Sequence, residues 1–501
     1  MRKFLKYSVL TVAVLMSFGC NLDQEVYSEY VVDDYVNDAD DVERLLTGAY
    51  NGLQGVLYYE WAVTELRSDN ARSRAAGSTS QDTKLIEQLD QGVITTAHDW
   101  VSEYWSACYA AIDRANRTLA ALGVVTDEAQ RTRIEAEAKF LRAHIYFNLV
   151  RLWGPVFKVT ESLTPEEARY MQRSPKEEIY DLIEGDLTYI VDQEMLPVPA
   201  EIAADQKGRV TLQAAEALLA KVYMTRYKKG TEAYTRAGEL LHDALNMATG
   251  WVGSYADIFS INNEMNPEIV FAVRYMSGNV GLGSPFGTLF GPQNNGNNVI
   301  MGSPKHYNYP TDNLILAYKA NEGDLRKEVT LKESYFNQTT GKEVTGASAR
   351  WCDKFLSPIT TEYDGENDWP VIRLGDVVLL LAEWINETDG PTEEAFELLN
   401  RIRTRAGGAE YTAAELTNRS VFRRAVREER RLELACENQR WFDLLRWGVA
   451  TETVNAYFQK EITFYDSYGY AINPIEDWQL MLPIPLSVKN INPNVAQNAG
   501  Y

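Results

Sequence analysis

The four histidines are the residues of this chain best suited to bind a metal ion or to move a proton at neutral pH. They stand at His98, His144, His242 and His306, and none is spaced with another His or a Glu as a metal site requires. Neither the HExxH motif, nor the GxSxG elbow, nor a P-loop is present. The sequence therefore predicts no catalytic residue, no bound metal and no cofactor. A glycosidase stays open as an alternative, because its two carboxylates need no sequence motif.

Residues 428–448 read EERRLELACENQRWFDLLRWG and concentrate arginines and tryptophans in a short stretch. Such a basic cluster is one signature of a nucleic-acid surface. The whole chain, however, has a net charge of -22, which disfavours the phosphate neutralisation on which nucleic-acid affinity depends. Acidic residues accompany the arginines at helical spacing. The predicted ion pairs are Arg430–Glu433, Glu437–Arg440, Arg440–Asp443 and Asp443–Arg446. We interpret the stretch as scaffold and predict no nucleic-acid partner.

The N-terminus has the composition of a secretory signal peptide. A basic start, MRKFLK, precedes the apolar run YSVLTVAVLMSF at residues 7–18. This run is too short for a membrane-spanning helix, which needs about 20 apolar residues. It ends in SFGC, which is similar to a bacterial lipobox, so residues 1–19 are predicted to be removed and Cys20 to be lipidated. Ordinary cleavage near Gly19, with Cys20 left as a plain cysteine, is the alternative.

Three cysteines follow Cys20, at positions 108, 352 and 436. They cannot all pair with one another, and none of them belongs to a CxxC or other metal-binding spacing. Cys108 and Cys436 lie in helical patterns and are interpreted as buried thiols. No second long apolar run appears in the sequence, so the predicted lipid would be the only membrane attachment.

Residues 37–249 are predicted to form helices separated by polar breaks, because apolar residues recur at helical spacing. The predicted helices cover residues 40–55, 99–122, 127–153, 174–192, 210–229 and 231–247. An Ala-Glu-Ala pattern at residues 136–138 recurs at residues 215–217, and small residues of this kind let helices approach closely. The repetition favours tetratricopeptide-like helix pairs, with an irregular helical bundle as the alternative.

The character of the sequence changes between residues 267 and 370. Residues 269–275, IVFAVRY, are the best strand candidate, and residues 278–303 form a loop rich in Gly, Asn and Pro. A long loop of this kind inside a compact domain is usually functional or disordered. Helices are predicted again at residues 371–386, 392–406 and 420–447.

Five sequence blocks lie in a characteristic order along the chain. They are CNLD at residues 20–23, AEAKFLRAHIYFNLVRLWGPV at 136–156, WPVIRLGDVVLLLAEWIN at 369–386, ERRLELACENQRWFDLLRWG at 429–448 and LPIPLSVKNINPNVAQNAGY at 482–501. Together they resemble the SusD/RagB family of outer-membrane lipoproteins from Bacteroidetes. Two positions depart from that pattern: Asn438 stands where the family often has Gly, and Gly375 where Ala is usual.

The resemblance implies a mainly α, SusD-like fold, with tetratricopeptide-like helix pairs and a loop-rich ligand-binding part that contains few short strands. It implies a signal peptide at residues 1–19, an N-terminal part with the helix pairs at 20–250, and a C-terminal part at 251–501 intertwined with the first. It also implies a protein that is not an enzyme and is lipid-anchored at the outer membrane, on the cell surface. Its partners would be a SusC-type TonB-dependent transporter and an oligosaccharide or, in some members, a peptide.

The resemblance further places the ligand site in the region after the first long helix and in the mid-chain loops. Trp61 is the first choice for a ring that stacks on a sugar, with a core tryptophan as an equal alternative. Asp69 and Asn70 would donate or accept hydrogen bonds to the ligand, or would cap a turn instead. The other candidates are Arg72, Tyr307, Tyr309 and Trp351. A surface glycoside hydrolase and a purely structural surface lipoprotein are the rival classes.

Overall fold

The structure, a computed structural model, describes residues 36–73, 80–293, 295, 299–346, 349–467 and 472–501. The predicted signal peptide and Cys20 lie outside the described residues. Within them the chain is mainly helical and contains few short strands, as expected. None of the described helices combines the length and the apolar character needed to cross a membrane.

The first half of the chain is built from helices, most of which have an N-terminus capped by a side chain. The described helices here are α1 (Ala39–Thr64), α2 (Gln81–Asp90), α3 (Asp99–Ala120), α4 (Glu128–Trp153), α5 (Pro165–Tyr170), α6 (Lys176–Asp192), α7 (Leu212–Arg226) and α8 (Glu232–Asn246). The carboxylate of Asp127, for example, accepts a hydrogen bond from Gln130 N at 2.7 Å, which satisfies one of the free N–H groups at the start of α4. That helix ends as predicted at Gly154, whose φ of 71° suits a residue without a side chain.

These helices pack in sequential pairs. Contacts join α1 to α3, α3 to α4, α4 to α6 and α7 to α8. The repeated alanines are buried on α4 and α7: Ala136, Ala138, Ala215 and Ala217 are at most 1% exposed. Their small side chains allow neighbouring helices to come close. The predicted pattern of helix pairs is thereby confirmed.

The second half adds shorter helices and the strands. Its described helices are α9 (Tyr255–Ile258), α10 (Phe286–Phe290), α11 (Asp312–Lys319), α12 (Arg326–Thr330), α13 (Leu374–Thr388), α14 (Glu393–Arg405), α15 (Arg419–Glu433), α16 (Arg440–Arg446), α17 (Ala450–Ser467) and α18 (Leu486–Ile491). The described strands are β1 (Ala71–Arg72), β2 (Ile269–Val273), β3 (Tyr309–Pro310), β4 (Leu331–Lys332), β5 (Ser334–Asn337), β6 (Lys342–Thr345), β7 (Trp351–Cys352) and β8 (Trp369–Arg373). They form antiparallel pairs β1–β3, β2–β8, β4–β7 and β5–β6.

The predicted strand at residues 269–275 is confirmed as β2, but its partner was not foreseen. β2 pairs with β8, so residues 371–373, which were predicted to start a helix, are strand instead. Pro370 and the β-branched residues that follow it disfavour a helix there. The helix α13 therefore begins only at Leu374.

The predicted single helix at residues 420–447 is also wrong. It divides into α15 and α16, and the turn between them contains Cys436 at φ 66° and Asn438 at φ 60°. A left-handed residue cannot continue an α-helix. Among the four predicted ion pairs, only Asp443–Arg446 is formed, at 2.9 Å.

The arginines of this stretch nevertheless belong to the scaffold, as predicted. Arg430 is buried and pairs with Asp376 at 2.9 Å and with Asp443 at 3.0 Å. Arg446 pairs with Glu383 at 2.6 Å. Because these charges are buried and neutralised by partners from other helices, they present no basic surface.

The C-terminal segment, residues 478–501, closes over α4. Trp153 Nε1 donates to Pro483 O at 2.9 Å, and Asn498 Nδ2 donates to Trp153 O at 3.0 Å. Leu482 N donates to Leu152 O at 2.8 Å. One cluster of buried apolar residues contains members from both halves of the chain. The division near residue 250 stays a prediction.

Candidate functional site

Five aromatic side chains gather where the end of α1, the start of α3 and two loops of the second half meet. This aromatic cluster consists of Tyr58, Tyr59, Trp100, Tyr307 and Tyr363. The Tyr58 ring lies 4.9 Å from the Tyr59 ring and stacks on Trp100 at 6.0 Å, while Tyr307 lies 6.3 Å from Trp100. Tyr363 neighbours Tyr58, and the ammonium group of Lys305 lies 6.0 Å from its ring centre.

Three of these rings reach the surface. Tyr58, Tyr59 and Tyr363 are half-buried, whereas Trp100 and Tyr307 are 6% and 8% exposed and form the base of the cluster. Binding sites for small molecules commonly combine apolar and aromatic walls with a few polar groups that fix orientation. Half-buried rings of this kind offer an apolar surface against which the C–H face of a sugar can pack.

Polar groups border the rings. Tyr307 lies beside Thr83 in the first turn of α2, next to the exposed Asp82. Glu103 is exposed and stands one helical turn beyond Trp100 on α3. Burial, together with the carboxylates of Glu103 and Asp82, raises the pKa of Tyr59. The Tyr59 phenol therefore stays protonated at neutral pH and is able to donate a hydrogen bond.

Tyr363 has an unusual backbone conformation. Its φ is 61°, in the left-handed region that aromatic residues rarely adopt, and its N–H donates to Thr288 Oγ1 at 2.8 Å. Strained residues of this kind concentrate at functional sites, where the surrounding structure holds them in place. Here the residue in this conformation is a neighbour of Tyr58.

Every second residue after Tyr363 has a carboxylate that binds the chain after β2. Asp364 accepts hydrogen bonds from Gly278 N and Asn279 N, at 2.9 and 3.0 Å, and Glu366 accepts one from Ser277 N at 2.9 Å. Asp368 accepts one from Tyr275 N at 2.8 Å. The loop that carries Tyr363 is therefore fastened to the chain that follows β2.

Trp61 lies beneath the aromatic cluster and does not reach the surface. The ring is fully buried, stacks on Tyr307 at 6.4 Å and meets the edge of Trp100 at 5.8 Å. Its Nε1 donates to Tyr58 O at 3.0 Å. The expectation of an accessible stacking ring is wrong, because α1 continues to Thr64 and turns Trp61 inward.

Asp69 and Asn70 are also buried, and their polar atoms face arginines of the scaffold. Asp69 accepts from Arg440 Nε at 2.8 Å and Arg440 Nη2 at 3.0 Å, and pairs with Arg431 at 3.1 Å. Asn70 Oδ1 accepts from Arg431 Nε at 2.7 Å. Burial alone would raise the pKa of Asp69, but Arg431 and Arg440 outweigh it and lower the pKa. Instead of orienting a ligand, as expected, the two side chains bind buried arginines of the scaffold.

Three further predicted site residues are buried away from solvent. Arg72 pairs with Glu461 at 2.6 Å and lies over the Phe464 ring, and Tyr309 stacks on His306 at 4.3 Å. Trp351 belongs to a small core with Tyr335 and Ala349. These three candidates are therefore not exposed to a ligand in this structure, and Trp351 packs beneath the loop, which was the alternative to facing solvent. Of the predicted aromatic candidates, only Tyr307 belongs to the aromatic cluster.

Trp100, Tyr363 and Lys305 were not predicted as site residues. Tyr58 and Tyr59 belong to the stretch YYEW that drew attention to Trp61, and on α1 they lie beside Trp61 but face outward. No group of His, Cys, Asp and Glu side chains suited to a metal ion occurs in the described part of the chain.

Solved structures of SusD-like proteins have the same overall fold as this chain. A SusD homolog from Bacteroides thetaiotaomicron VPI-5482 superposes with a TM-score of 0.78 at 23% identity, covering 94% of this chain and 98% of that chain. A solved laminarin-binding SusD-like protein superposes with a TM-score of 0.73 at 25% identity, covering 93% of this chain and all of the other.

Sequence comparison agrees with the fold. The SusD family model matches residues 304–501, and a model described as starch-binding associating with outer membrane matches residues 21–224. SusD-like protein P25 of Formosa agariphila is 27% identical, over 99% of this chain and 100% of its own length. The chain belongs to the SusD/RagB family.

Proposed function

We propose that this protein captures an oligosaccharide at the cell surface and delivers it to a SusC-type TonB-dependent transporter. The observation that carries the proposal is the aromatic cluster, in which half-buried tyrosine rings offer an apolar surface beside hydroxyl groups that can form hydrogen bonds. The laminarin-binding protein of similar fold and the starch-binding description of the matching model support a glycan as the ligand class.

The proposed location is the outer face of the outer membrane, with Cys20 as the lipid attachment. This part of the proposal rests on the N-terminal sequence, where a short apolar run precedes SFGC. The description of the matching model, which includes association with the outer membrane, supports it. A single acyl chain anchors only marginally, so stable attachment needs more than one chain.

Three rival functions are distinguished by what happens to the ligand. A peptide-binding protein would use the same cluster for apolar side chains, and a surface glycoside hydrolase would release reducing ends. A purely structural lipoprotein would retain neither ligand. The proposal is a binder without hydrolytic activity.

Affinity electrophoresis against a glycan panel that includes laminarin tests the proposal directly. The double variant Tyr58→Ala/Tyr59→Ala should lose about 2 kcal/mol of binding, roughly thirtyfold in affinity, because it removes two accessible rings. Tyr189→Ala is the matched control: Tyr189 is a half-buried tyrosine on α6 whose ring contacts Lys139. Its affinity should equal that of the unaltered protein.

A reducing-sugar assay on the same preparations completes the test. Retention of a glycan without sugar release is the expected result. Sugar release by the pure protein would replace the proposal by a hydrolase. Retention of peptides alone would assign the cluster to peptide capture, and equal retention by the double variant would place the site elsewhere.

A further inference from the structure

Two of the cysteines meet in the interior. Among the described residues the free cysteines are Cys108, Cys352 and Cys436, and all three are buried. Cys352 lies in β7 and Cys436 in the turn between α15 and α16, and their buried side chains are neighbours. Cys108 lies on α3, where its thiol neighbours Tyr104 and Glu60.

The Lys354 side chain and the β4–β7 strand pair hold the two segments that carry these cysteines. Lys354 Nζ donates to Ala435 O at 2.6 Å and to Glu437 Oε1 at 2.8 Å, so it binds both chain neighbours of Cys436. Cys352 itself is held in register opposite Leu331 by the β4–β7 pair. Cys436 has a φ of 66°, a left-handed conformation that sets the direction of its side chain. The segment around Cys352 and the turn around Cys436 therefore run side by side.

We propose that Cys352 and Cys436 are a modification site: they form one disulfide bond when the chain folds in an oxidising compartment. Disulfides persist in exported proteins because those compartments do not keep thiols reduced. The bond would close a long loop, and longer loops gain more from such a link. It would fasten residues 299–365, which supply Tyr307 and Tyr363, to the turn of the arginine-rich scaffold.

The reaction needs a disulfide oxidant, either a small molecule such as oxidised glutathione or an exported dithiol oxidase. One cysteine thiolate attacks the oxidant and forms a mixed disulfide, with release of one reduced thiol. The second cysteine then displaces the other half, so that two protein thiols are oxidised and one oxidant disulfide is reduced. Contact with Cys352, together with burial, raises the pKa of Cys436, so this chemistry belongs to the folding chain and not to the closed native state.

Thiol counting tests the proposal without any variant of the pair. The mature chain carrying Cys20→Ala, which removes the N-terminal thiol, is unfolded, then refolded with a glutathione redox buffer or with dithiothreitol. Each sample is alkylated with iodoacetamide in denaturant and weighed by mass spectrometry. We expect one alkylated cysteine, Cys108, after oxidative refolding and three after reduction. A non-reducing peptide map should join the Cys352 and Cys436 peptides.

Cys108→Ala and Cys352→Ala are the matched variants. Cys108→Ala should keep the disulfide and show no free thiol after oxidative refolding. The denaturant midpoint of the oxidised sample should be higher than that of the reduced sample. Cys352→Ala should show two free thiols and the same midpoint under both conditions. Three alkylated cysteines after oxidative refolding of the parent protein, or Cys108 in the linked peptide, would overturn the proposal. If Cys352→Ala does not fold, the parent and Cys108→Ala still decide.

Discussion

The carboxylate of Asp69 forms a two-point pair with the guanidinium of Arg440, at 2.8 and 3.0 Å, across 371 positions of the sequence. Arg431 joins the same carboxylate from α15 at 3.1 Å. The chain just after α1, which lies under the aromatic cluster, is thus locked to the scaffold of the C-terminal half. These ion pairs stabilise the structure that carries the aromatic cluster, but the three residues are not part of the cluster.

Asp69→Asn should therefore destabilise the protein without changing the binding surface. The substitution keeps the shape of the side chain but leaves Arg440 and Arg431 with an uncompensated buried charge, which typically costs about 3–5 kcal/mol. Urea unfolding measures the loss, and glycan affinity corrected for the folded fraction should be unchanged. A variant of normal stability that no longer binds would place Asp69 in the site after all.

Trp61→Ala should also act through stability. Truncating a fully buried tryptophan costs about 3–5 kcal/mol, so the melting temperature should fall by several degrees. The melting temperature of Trp61→Phe, which retains a ring against Trp100 and Tyr307, should fall by less. Differential scanning calorimetry on both variants checks the order, and an unchanged melting temperature for Trp61→Ala would contradict the buried position.

Tyr363→Gly should lower glycan affinity without lowering stability, the reverse of the two preceding variants. The ring is lost from the aromatic cluster, so glycan affinity should fall roughly thirtyfold, the usual effect of removing an aromatic anchor. Glycine adopts a φ of 61° without strain, so the free energy of unfolding should stay equal or rise. Calorimetric titration and urea unfolding of the same sample give both values. Tyr363→Phe, the control, should retain most of the affinity.

Glu216 gives a prediction about pH. Its Oε2 has no hydrogen-bond partner in the described part of the chain, and burial raises the pKa to about 8, with Asp243 and Glu194 adding to the effect. An unfolded glutamate titrates near pH 4.3, so the folded state holds a proton that the unfolded state has lost between about pH 4.3 and 8. Stability from this group is present at low pH and is lost as the pH rises to about 8.

Glu216→Gln mimics the protonated form, so its melting temperature should exceed that of the parent by a margin that grows with pH and levels off above about pH 8. Glu137, the corresponding residue of the first Ala-Glu-Ala pattern, is the control. It accepts from Tyr50 at 2.6 Å and pairs with Arg133 and Arg209, so Glu137→Gln should lower the melting temperature. Parallel curves for Glu216→Gln and the parent across pH 5–9 would refute the prediction.

Cys20→Ala should release the protein from the membrane fraction while leaving it folded. The expectation follows from the short apolar run before SFGC and from the predicted lipid as the only attachment. Fractionation in cells that lack the partner transporter, with circular dichroism of the released protein, is the measurement. A variant that stays with the membrane in such cells would show another anchor.

The sequence predicted the helical half well because its signals are local. Apolar spacing, Asp127 at the start of α4 and Gly154 at its end each act within a few residues. The single helix predicted over residues 420–447 failed because the reason for its break is not local. The turn at Cys436 and Asn438 is held by Lys354 and by Glu65, whose Oε1 accepts from Asn438 N at 2.7 Å.

The site was harder to predict, because polar residues after α1 look like ligand contacts until their partners are known. Asp69 finds those partners on α15 and α16, far along the sequence, and Tyr58 and Tyr363 are also far apart in the sequence. Periodicity could have assigned Tyr58 outward and Trp61 inward, since Leu57 and Trp61 share one face of α1. No pattern in the sequence assigns Tyr363, whose role depends on an unusual backbone angle.

The closure of the C-terminal segment over Trp153 has a consequence for biogenesis. A chain that is exported N-terminus first has delivered α4 long before Pro483 and Asn498 cross the membrane. Until they arrive, Trp153 and its neighbours have no cover, and Arg440 is not yet there to bind Asp69. If the chain is exported as proposed, folding of this region is complete only after the last residues have crossed the membrane, and a chain halted short of them would be open to chaperones and proteases there.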